Sequence, residues 1–268
     1  MSSPLSPSSA QLDAFVVDGV LRVDQAFSTD LAAACRDVLW RAVGAVAGCT
    51  PDDPSTWTQP VVRLGVIPHP LLREAINTPR LHATFDALVG AGRWQPPGAV
   101  GTFPVRFPST TTAGDDGWHI DVSFGFDGEP DFLQWRANIH SRGRALLLLM
   151  LFSDVDDDDA PTRLRLGSHL DIARRLAPHG DDGLTLGALA STGFVESAHR
   201  RELRATGPAG TVFVCHPFLV HAAQAHHGTR PRFLAQPPVV FAPPLDRYGV
   251  DDDSPVARAI RLALTTTP

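Results

Sequence analysis

Apolar residues in the first third of the chain recur with the spacing of a helix face. The clearest case begins with Ser28 or Thr29 as the capping residue and runs to about Ala47. Its apolar positions follow the i, i+3/i+4, i+7 spacing of one buried face: Leu31, Cys35, Val38, Leu39, Ala42, Val43 and Val46. A second helical stretch covers residues 70–88 and is interrupted near Pro79. These segments predict an N-terminal helical layer.

From Ala99 onwards, short apolar or alternating segments follow one another between Gly, Pro and Asp turns. Such segments are typical of β-strands, in which successive side chains point to opposite faces. Strands are predicted in this region over residues 101–107, 118–126, 133–139, 144–153, 163–166, 193–196, 211–216 and 232–241. An earlier short strand is predicted over residues 15–23, with a turn at Asp18 and Gly19.

This succession of strands predicts the fold class. We expect a mainly β fold with flanking helices, a double-stranded β-helix of the jelly-roll, cupin-like type, with the helical layer at its N-terminus. A single domain is predicted over residues 11–268, with its core at about 99–242. A disordered lead, rich in Ser and Pro, is expected over residues 1–10.

Two further helices are predicted in the second half of the chain. The first is expected to start at Ser168, with Asp171 as its capping-box partner, and to end near Pro178. The second is a helical turn or two over residues 256–264.

The amino-acid composition excludes several classes of catalytic and binding group. The chain has 23 basic residues, all of them arginine, against 29 acidic residues, which gives a net charge of −6. The absence of lysine excludes Schiff-base amines and the lysine of a phosphate-binding loop. The negative charge disfavours nucleic-acid binding, which needs a basic face. The groups that remain for chemistry are those of His, Asp, Arg, Ser and Thr.

Signals for secretion or membrane insertion are weak. The longest apolar run, residues 145–152, is far shorter than the ~20 residues that span a bilayer. The N-terminus lacks the positive start and apolar stretch of a signal peptide. The three cysteines are odd in number and have no Cys-x-x-Cys spacing, which suits a reducing compartment. These features predict a cytoplasmic protein without membrane contact, and they leave the oligomeric state open.

Eleven histidines make metal binding the first chemistry to consider. Two histidines and one carboxylate hold Fe(II) in non-haem oxygenases, and a His-x-Asp pair on a strand points both side chains to one face. The sequence contains three such pairs, so context must select among them: His119/Asp121, His169/Asp171 and His179/Asp181. The first pair lies in a strand-like segment, the second at a predicted helix start and the third in a Gly- and Asp-rich loop. Context therefore favours His119 and Asp121.

The second histidine ligand is expected from a distant strand. Four histidines compete for this role: His216, His221, His226 and His227. The last two lie in a polar loop, His216 ends the predicted strand over 211–216, and His221 lies among apolar residues with Arg232 following in the next strand. Position alone leaves His216 and His221 both open.

Three segments together resemble the phytanoyl-CoA dioxygenase (PhyH-like) family of Fe(II)/2-oxoglutarate oxygenases. Residues 210–223, Gly-Thr-Val-Phe-Val-Cys-His-Pro-Phe-Leu-Val-His-Ala-Ala, look like the distal-histidine segment of that family, with Arg232 beyond it. Residues 118–121, Trp-His-Ile-Asp, are similar to its His-x-Asp strand. Residues 164–169, Leu-Arg-Leu-Gly-Ser-His, resemble its Pro-Gly-Ser/Thr-His turn. The resemblance spans residues 118–241.

The resemblance implies that His119, Asp121 and His221 bind Fe(II), and that Arg232 binds the distal carboxylate of 2-oxoglutarate. Oxidative decarboxylation with O₂ would yield succinate and CO₂, and the carboxylate ligand argues against halogenation. Two positions depart from the family pattern. One is Leu166, which replaces the usual proline. The other is Ala223, which stands where family members can carry a hydroxyl that helps to hold the co-substrate.

Other residues near these motifs are candidates for ligand contacts. Arg106 is expected to bind 2-oxoglutarate or an anionic substrate group, or else to lie at the surface. Candidate substrate walls are Trp118, Phe124, Phe126 and Trp135, although packing is the more common role of aromatic residues in a β core. We expect an Fe(II)/2-oxoglutarate-dependent hydroxylase of a small organic molecule. The alternatives are a cupin-like metalloenzyme that does not use 2-oxoglutarate and a non-catalytic jelly-roll binding module.

Overall fold

A computed structural model describes residues 5–249 and 251–265. Seven α-helices lie in these residues: α1 (Ser9–Asp18), α2 (Thr29–Ala47), α3 (Pro70–Ile76), α4 (Pro79–Val89), α5 (Ser168–Leu176), α6 (Leu186–Ala190) and α7 (Pro255–Thr265). Within the described part of the chain, no helix is both long and apolar enough to span a membrane.

The strands form antiparallel sheets. In the largest sheet β1 (Val20–Val23), β9 (Val212–Cys215), β5 (Leu146–Leu151) and β11 (Leu234–Ala235) lie in that order, and β12 (Pro238–Val239) also pairs with β5. A second sheet has the order β10 (His221–Ala222), β6 (Arg163–Arg165) and β8 (Glu202–Arg204). Two pairs complete the set: β2 (Val61–Leu64) with β3 (Phe103–Arg106), and β4 (Arg136–Ala137) with β7 (Leu184–Thr185).

Strand β5 is buried along its whole length and separates two apolar layers. Leu148 and Met150 face the layer that contains the helices. Leu149 faces the other layer, which it shares with Leu164 of the second sheet. A strand covered on both faces needs apolar residues at every position, which is why this segment reads Leu-Leu-Leu-Leu-Met-Leu. The fold is therefore a mixed one, with antiparallel sheets packed face to face and helices over one side.

The helices predicted from periodicity and caps are confirmed. Helix α2 starts after Ser28, whose side chain accepts from the Leu31 amide at 3.1 Å, and ends at Gly48. The break predicted at Pro79 separates α3 from α4. The predicted C-terminal turns belong to α7. Caps and spacing were sufficient because each is a local signal.

Several predicted strands were wrong or too long. The segment predicted as a strand over 15–23 is α1 as far as Asp18, because Ser8 and Gln11 form a capping box and Gly19 ends the helix at a φ of 77°. The predicted disordered lead is too long, since its last two residues belong to α1; residues 1–4 lie outside the described residues. Residues 193–196 form a turn into the 3-10 helix Val195–Ser197.

Two more predictions changed in the region of the motifs. The strand predicted over 118–126 is reduced to isolated bridges at His119 and Phe124. The capping box predicted for α5 is wrong, because Gly167 occupies the N-cap with a φ of 80° and no side-chain bond. Ser168 instead accepts from the Val220 amide at 2.8 Å, and Asp171 pairs with Arg200. The turn is tied to the strand segment before β10 rather than to its own helix.

A pair of buried histidines joins the helices to the end of β9. The rings of His169 and His216 are 4.7 Å apart between centroids, and His169 Nε2 lies 3.1 Å from the Val16 carbonyl of α1. Burial lowers the pKa of His169 to about 4 and lowers the pKa of His216 as well. Both imidazoles are therefore neutral in the fold, and their positions assign them to helix packing.

We expect acid to destabilise the fold through this pair. The unfolded chain protonates histidine near pH 6.5, whereas the folded chain resists protonation down to about pH 4 at His169. Stability is thus complete above about pH 6.5 and falls as the pH drops below it, by about 1 kcal/mol per pH unit for each histidine. Urea unfolding at a series of pH values measures the slope. A slope that is unchanged in His169→Gln would contradict this prediction.

Candidate metal centre and adjoining cavity

The backbone brings His119 and His221 side by side. Their amides and carbonyls exchange two hydrogen bonds of 2.9 Å across an isolated antiparallel bridge. Directly opposed residues project to the same side, and Asp121, two positions after His119, follows the same alternation. One donor atom from each of the three side chains lies within 4.8 Å of the other two. Residues far apart in sequence thus form one compact N, N, O donor set.

Each imidazole is fixed by a hydrogen bond at Nδ1. The His221 Nδ1 donates to the Leu219 carbonyl at 3.0 Å, and the His119 Nδ1 donates to the Gly117 carbonyl at 2.9 Å. Because a carbonyl only accepts, these bonds place the proton on Nδ1 and leave the lone pair on Nε2. Among the described residues the buried His221 Nε2 has no hydrogen-bond partner, and it lies 3.8 Å from Asp121 Oδ1. A buried acceptor nitrogen of this kind, held in the tautomer that metal coordination requires, is suited to be a metal ligand.

Electrostatics keep the donor set in its binding form. Burial, and next the neighbouring His119, lower the pKa of His221 to about 4, so this ring is neutral at pH 7. Burial alone would raise the pKa of Asp121, but the charge of Arg144, and next the neighbouring His221 and His119, lower it below its usual value. Asp121 is therefore ionised. Two imidazoles with one carboxylate are the donor set of non-haem Fe(II) sites, and the residues present fit that ion.

Arg144 positions the carboxylate of Asp121. Its Nη1 donates to Asp121 Oδ2 at 3.0 Å, and its Nη2 lies 3.4 Å from the Val122 carbonyl. With Oδ2 held by Arg144, Oδ1 faces His221. Arg144 immediately precedes the apolar run of β5, and a lone charge at the entry of the most buried strand was a signal that sequence reasoning missed.

A cavity of about 480 Å³ adjoins the donor set. His119 lies in its wall together with Arg106 and Arg232. These two arginines are 3% and 2% exposed and lie directly opposite each other, joined by backbone hydrogen bonds of 3.1 and 2.8 Å. Burial, and next the charge of Arg106, lower the pKa of Arg232 to about 9. Two buried cations side by side favour an anion in this cavity.

The predicted aromatic walls lie elsewhere. Trp118 packs against Arg163 and Arg165, whose guanidinium carbons are 4.6 and 3.9 Å from its ring centroid. Both arginines alternate with Leu164, which lies opposite His221 in the sheet pairing, so Trp118 lies on the other face from the donor set.

Phe124 and Phe126 belong to the segment that follows Asp121. The Arg142 guanidinium carbon lies 5.5 Å from the Phe124 ring centroid. Phe126 is 48% exposed and packs on Trp135 at 5.4 Å. The structure therefore brings together the predicted ligands and arginines, and it leaves all four aromatic rings in packing contacts.

Comparison with known proteins adds a family and a set of similar folds. The sequence model of the family described as phytanoyl-CoA dioxygenase (PhyH) matches residues 17–234. The chain is similar to the non-heme alpha ketoglutarate dependent carbocyclase SnoK from nogalamycin biosynthesis, at a TM-score of 0.58 and 18% identity over 92% of this chain and 89% of that one. No curated protein matches the sequence.

Two further solved structures are similar. EctD from S. alaskensis with 2-oxoglutarate and 5-hydroxyectoine has a TM-score of 0.54 and 20% identity, covering 89% of this chain and 78% of that one. HygX from Streptomyces hygroscopicus with nickel and 2-oxoglutarate has a TM-score of 0.53 and 15% identity, covering 86% of each chain. At these identities the likeness is one of fold.

Proposed function

The chain belongs to the phytanoyl-CoA dioxygenase (PhyH) family of non-haem iron, 2-oxoglutarate-dependent oxygenases, and from this premise we propose that it hydroxylates a small organic molecule. One observation carries the proposal. His119, Asp121 and His221 present their donor atoms within 4.8 Å of one another beside a cavity walled by Arg232. We assign these three side chains as the iron ligands and Arg232 as the partner of the distal carboxylate of 2-oxoglutarate.

The reaction proposed is a coupled oxidation. The substrate C–H group, 2-oxoglutarate and O₂ give the hydroxylated product, succinate and CO₂. One atom of O₂ enters the hydroxylated product and the other enters succinate. Iron bound to the donor set supplies the activation of O₂ for this oxidation. The chain's own residues orient the partners: the hydrogen bonds at Nδ1 hold the two imidazoles, and Arg144 holds the Asp121 carboxylate.

Arg232 suits a carboxylate for a geometric reason. Its guanidinium is anchored by the carbonyls of Ala160 and Pro104, while its buried Nε has no hydrogen-bond partner in the described part of the chain. A planar guanidinium fixed in this way can form a bidentate pair of hydrogen bonds with a carboxylate. The adjacent Arg106 adds a second cation to the same wall.

Thr162 makes up for the hydroxyl that Ala223 lacks. The pairing of β10 with β6 places Ala222 opposite Arg163, and the next step of that antiparallel register places Ala223 opposite Thr162. Thr162 is 2% exposed, and both residues lie in the cavity wall. We infer that the Thr162 hydroxyl faces the co-substrate from the neighbouring strand.

The fold supports this assignment. We infer that the large sheet and the second sheet are the two halves of a double-stranded β-helix within one domain over residues 11–268. Their shared apolar layer supports the inference, since Leu149 of one sheet packs with Leu164 of the other. His221 lies opposite Leu164 in that second sheet, so the donor set opens between the two sheets.

The test is turnover of 2-oxoglutarate. Purified protein supplied with Fe(II), ascorbate and 2-oxoglutarate under air is expected to release succinate above the rate of a metal-free sample, and a metabolite panel should include compounds that raise that rate. Iron binding without succinate formation would indicate a metalloenzyme that does not use 2-oxoglutarate. Absence of metal binding would indicate a non-catalytic module.

A further inference from the structure

A second cationic cluster lies in the cavity wall beside Arg232. The Arg106 Nη2 donates to Asp115 Oδ1 at 2.6 Å, and the Arg63 Nη2 donates to the other oxygen, Asp115 Oδ2. Arg63 and Arg106 lie on the paired strands β2 and β3, whereas Asp115 lies in the loop that leads to His119. One carboxylate thus bridges two guanidinium groups.

The cluster has more positive than negative charge. Two arginines share the single charge of Asp115, and Arg232 stands next to them as the partner proposed for the co-substrate. The buried Arg106 Nε finds no hydrogen-bond partner within residues 5–249 and 251–265, and the whole residue is 3% exposed. A buried donor with an uncompensated charge beside it is costly unless an anion approaches.

The two ends of the cluster differ in their access to solvent. The side chain of Arg63 is 58% exposed and that of Asp115 is 28% exposed, against 4% for Arg106. A ligand that enters past Arg63 would therefore meet the cluster before the donor set. The cavity of about 480 Å³ has room for a small ligand in addition to the co-substrate.

We propose that the Arg63–Asp115–Arg106 cluster binds an anionic oxygen group of the substrate, a carboxylate or a phosphate. This inference rests on the proposed function, because it assigns Arg232 to 2-oxoglutarate. The Asp115 carboxylate occupies the position that the substrate's anionic group takes when it binds. The loop that carries Asp115 therefore moves away on substrate binding. The substrate class is then a small organic acid or phosphate ester, hydroxylated at a carbon that reaches the iron ligands.

Inorganic phosphate is the probe for this subsite. Protein loaded with Ni(II) and saturating 2-oxoglutarate is titrated with phosphate by calorimetry. We expect saturable binding to the wild type. Arg63→Gln should weaken it about tenfold, and Asp115→Asn should tighten it about tenfold, because it removes the competing charge. The matched control is Arg204→Gln, an exposed arginine of β8 that pairs with Asp157, which should leave phosphate binding unchanged.

Three outcomes would overturn the proposal. The first is absence of saturable phosphate binding to the wild type. The second is equal phosphate affinity in Arg63→Gln and Asp115→Asn. The third is direct competition between phosphate and 2-oxoglutarate, which would assign the cluster to the co-substrate. If 2-oxoglutarate itself fails to bind the Ni(II) protein, the proposed function fails; if 2-oxoglutarate binds and phosphate does not, only the substrate class fails.

Discussion

His221→Ala is expected to reduce Fe(II) affinity by more than about 100-fold. Loss of a residue that merely orients a ligand costs 10- to 100-fold in metal affinity, so loss of a direct ligand should exceed that range. The effect should be severe here because the Nε2 of His221 is the buried, unpartnered donor of the set. Metal analysis after dialysis and a competition titration with a chelator measure the affinity.

Two control variants separate ligand loss from unfolding. His227→Ala removes an exposed histidine six positions away and should bind metal as the wild type does. His119→Ala removes a half-buried partner and should lose metal with little loss of stability. Full iron occupancy in His221→Ala would contradict the ligand assignment and favour His216. His216 is the other candidate from the sequence, yet it packs against His169 away from the donor set.

Arg232→Ala is expected to raise the Kd for 2-oxoglutarate at least about thirtyfold while leaving metal binding intact. Truncating one partner of a buried charge pair costs about 2–5 kcal/mol. The side chain is fully buried, so a carboxylate bound there has no water to replace the lost donors. Calorimetry measures the binding of Ni(II) and then the binding of 2-oxoglutarate with one preparation of the protein.

The conservative and distant variants make this test specific. Arg232→Lys should fall between the wild type and the alanine variant, because an ammonium keeps the charge but loses the planar fork. Arg230→Ala, two positions away and exposed, should bind 2-oxoglutarate normally. Unchanged affinity in Arg232→Ala, with the fold intact by circular dichroism, would refute the co-substrate site and turn attention to Arg106.

The parts of the site that could be predicted from sequence depend on local signals. His119 and Asp121 stand two apart in an extended segment, so their common face follows from strand geometry alone. The choice of His221 over His216 and the role of Arg232 came from the family resemblance, because position in the sequence left both histidines open. The structure brings His119, Asp121 and His221 into one donor set, and His119 and Arg232 lie in the wall of one cavity.

The parts that could not be predicted depend on contacts between distant segments. Arg144 meets Asp121, and Arg63 meets Asp115, only because separate strands and loops come together in the fold. With 23 arginines and 29 acidic residues, the sequence offers no local reason to choose these pairs. Helix α1 was missed for a different reason, since its N-cap Ser8 lies in a Ser- and Pro-rich stretch that resembles a disordered lead.

The direct backbone pairing of His119 with His221 sets which changes in chain length the site tolerates. The largely exposed loop over residues 125–131 lies between these segments, and added residues in such a loop cost little entropy. A single residue inserted at 119–121 or in β10 would turn the following side chain to the opposite face of the sheet. The donors would then be divided between two faces. Chains that keep this site should therefore vary freely in the length of their loops and not at all in the length of these two short segments.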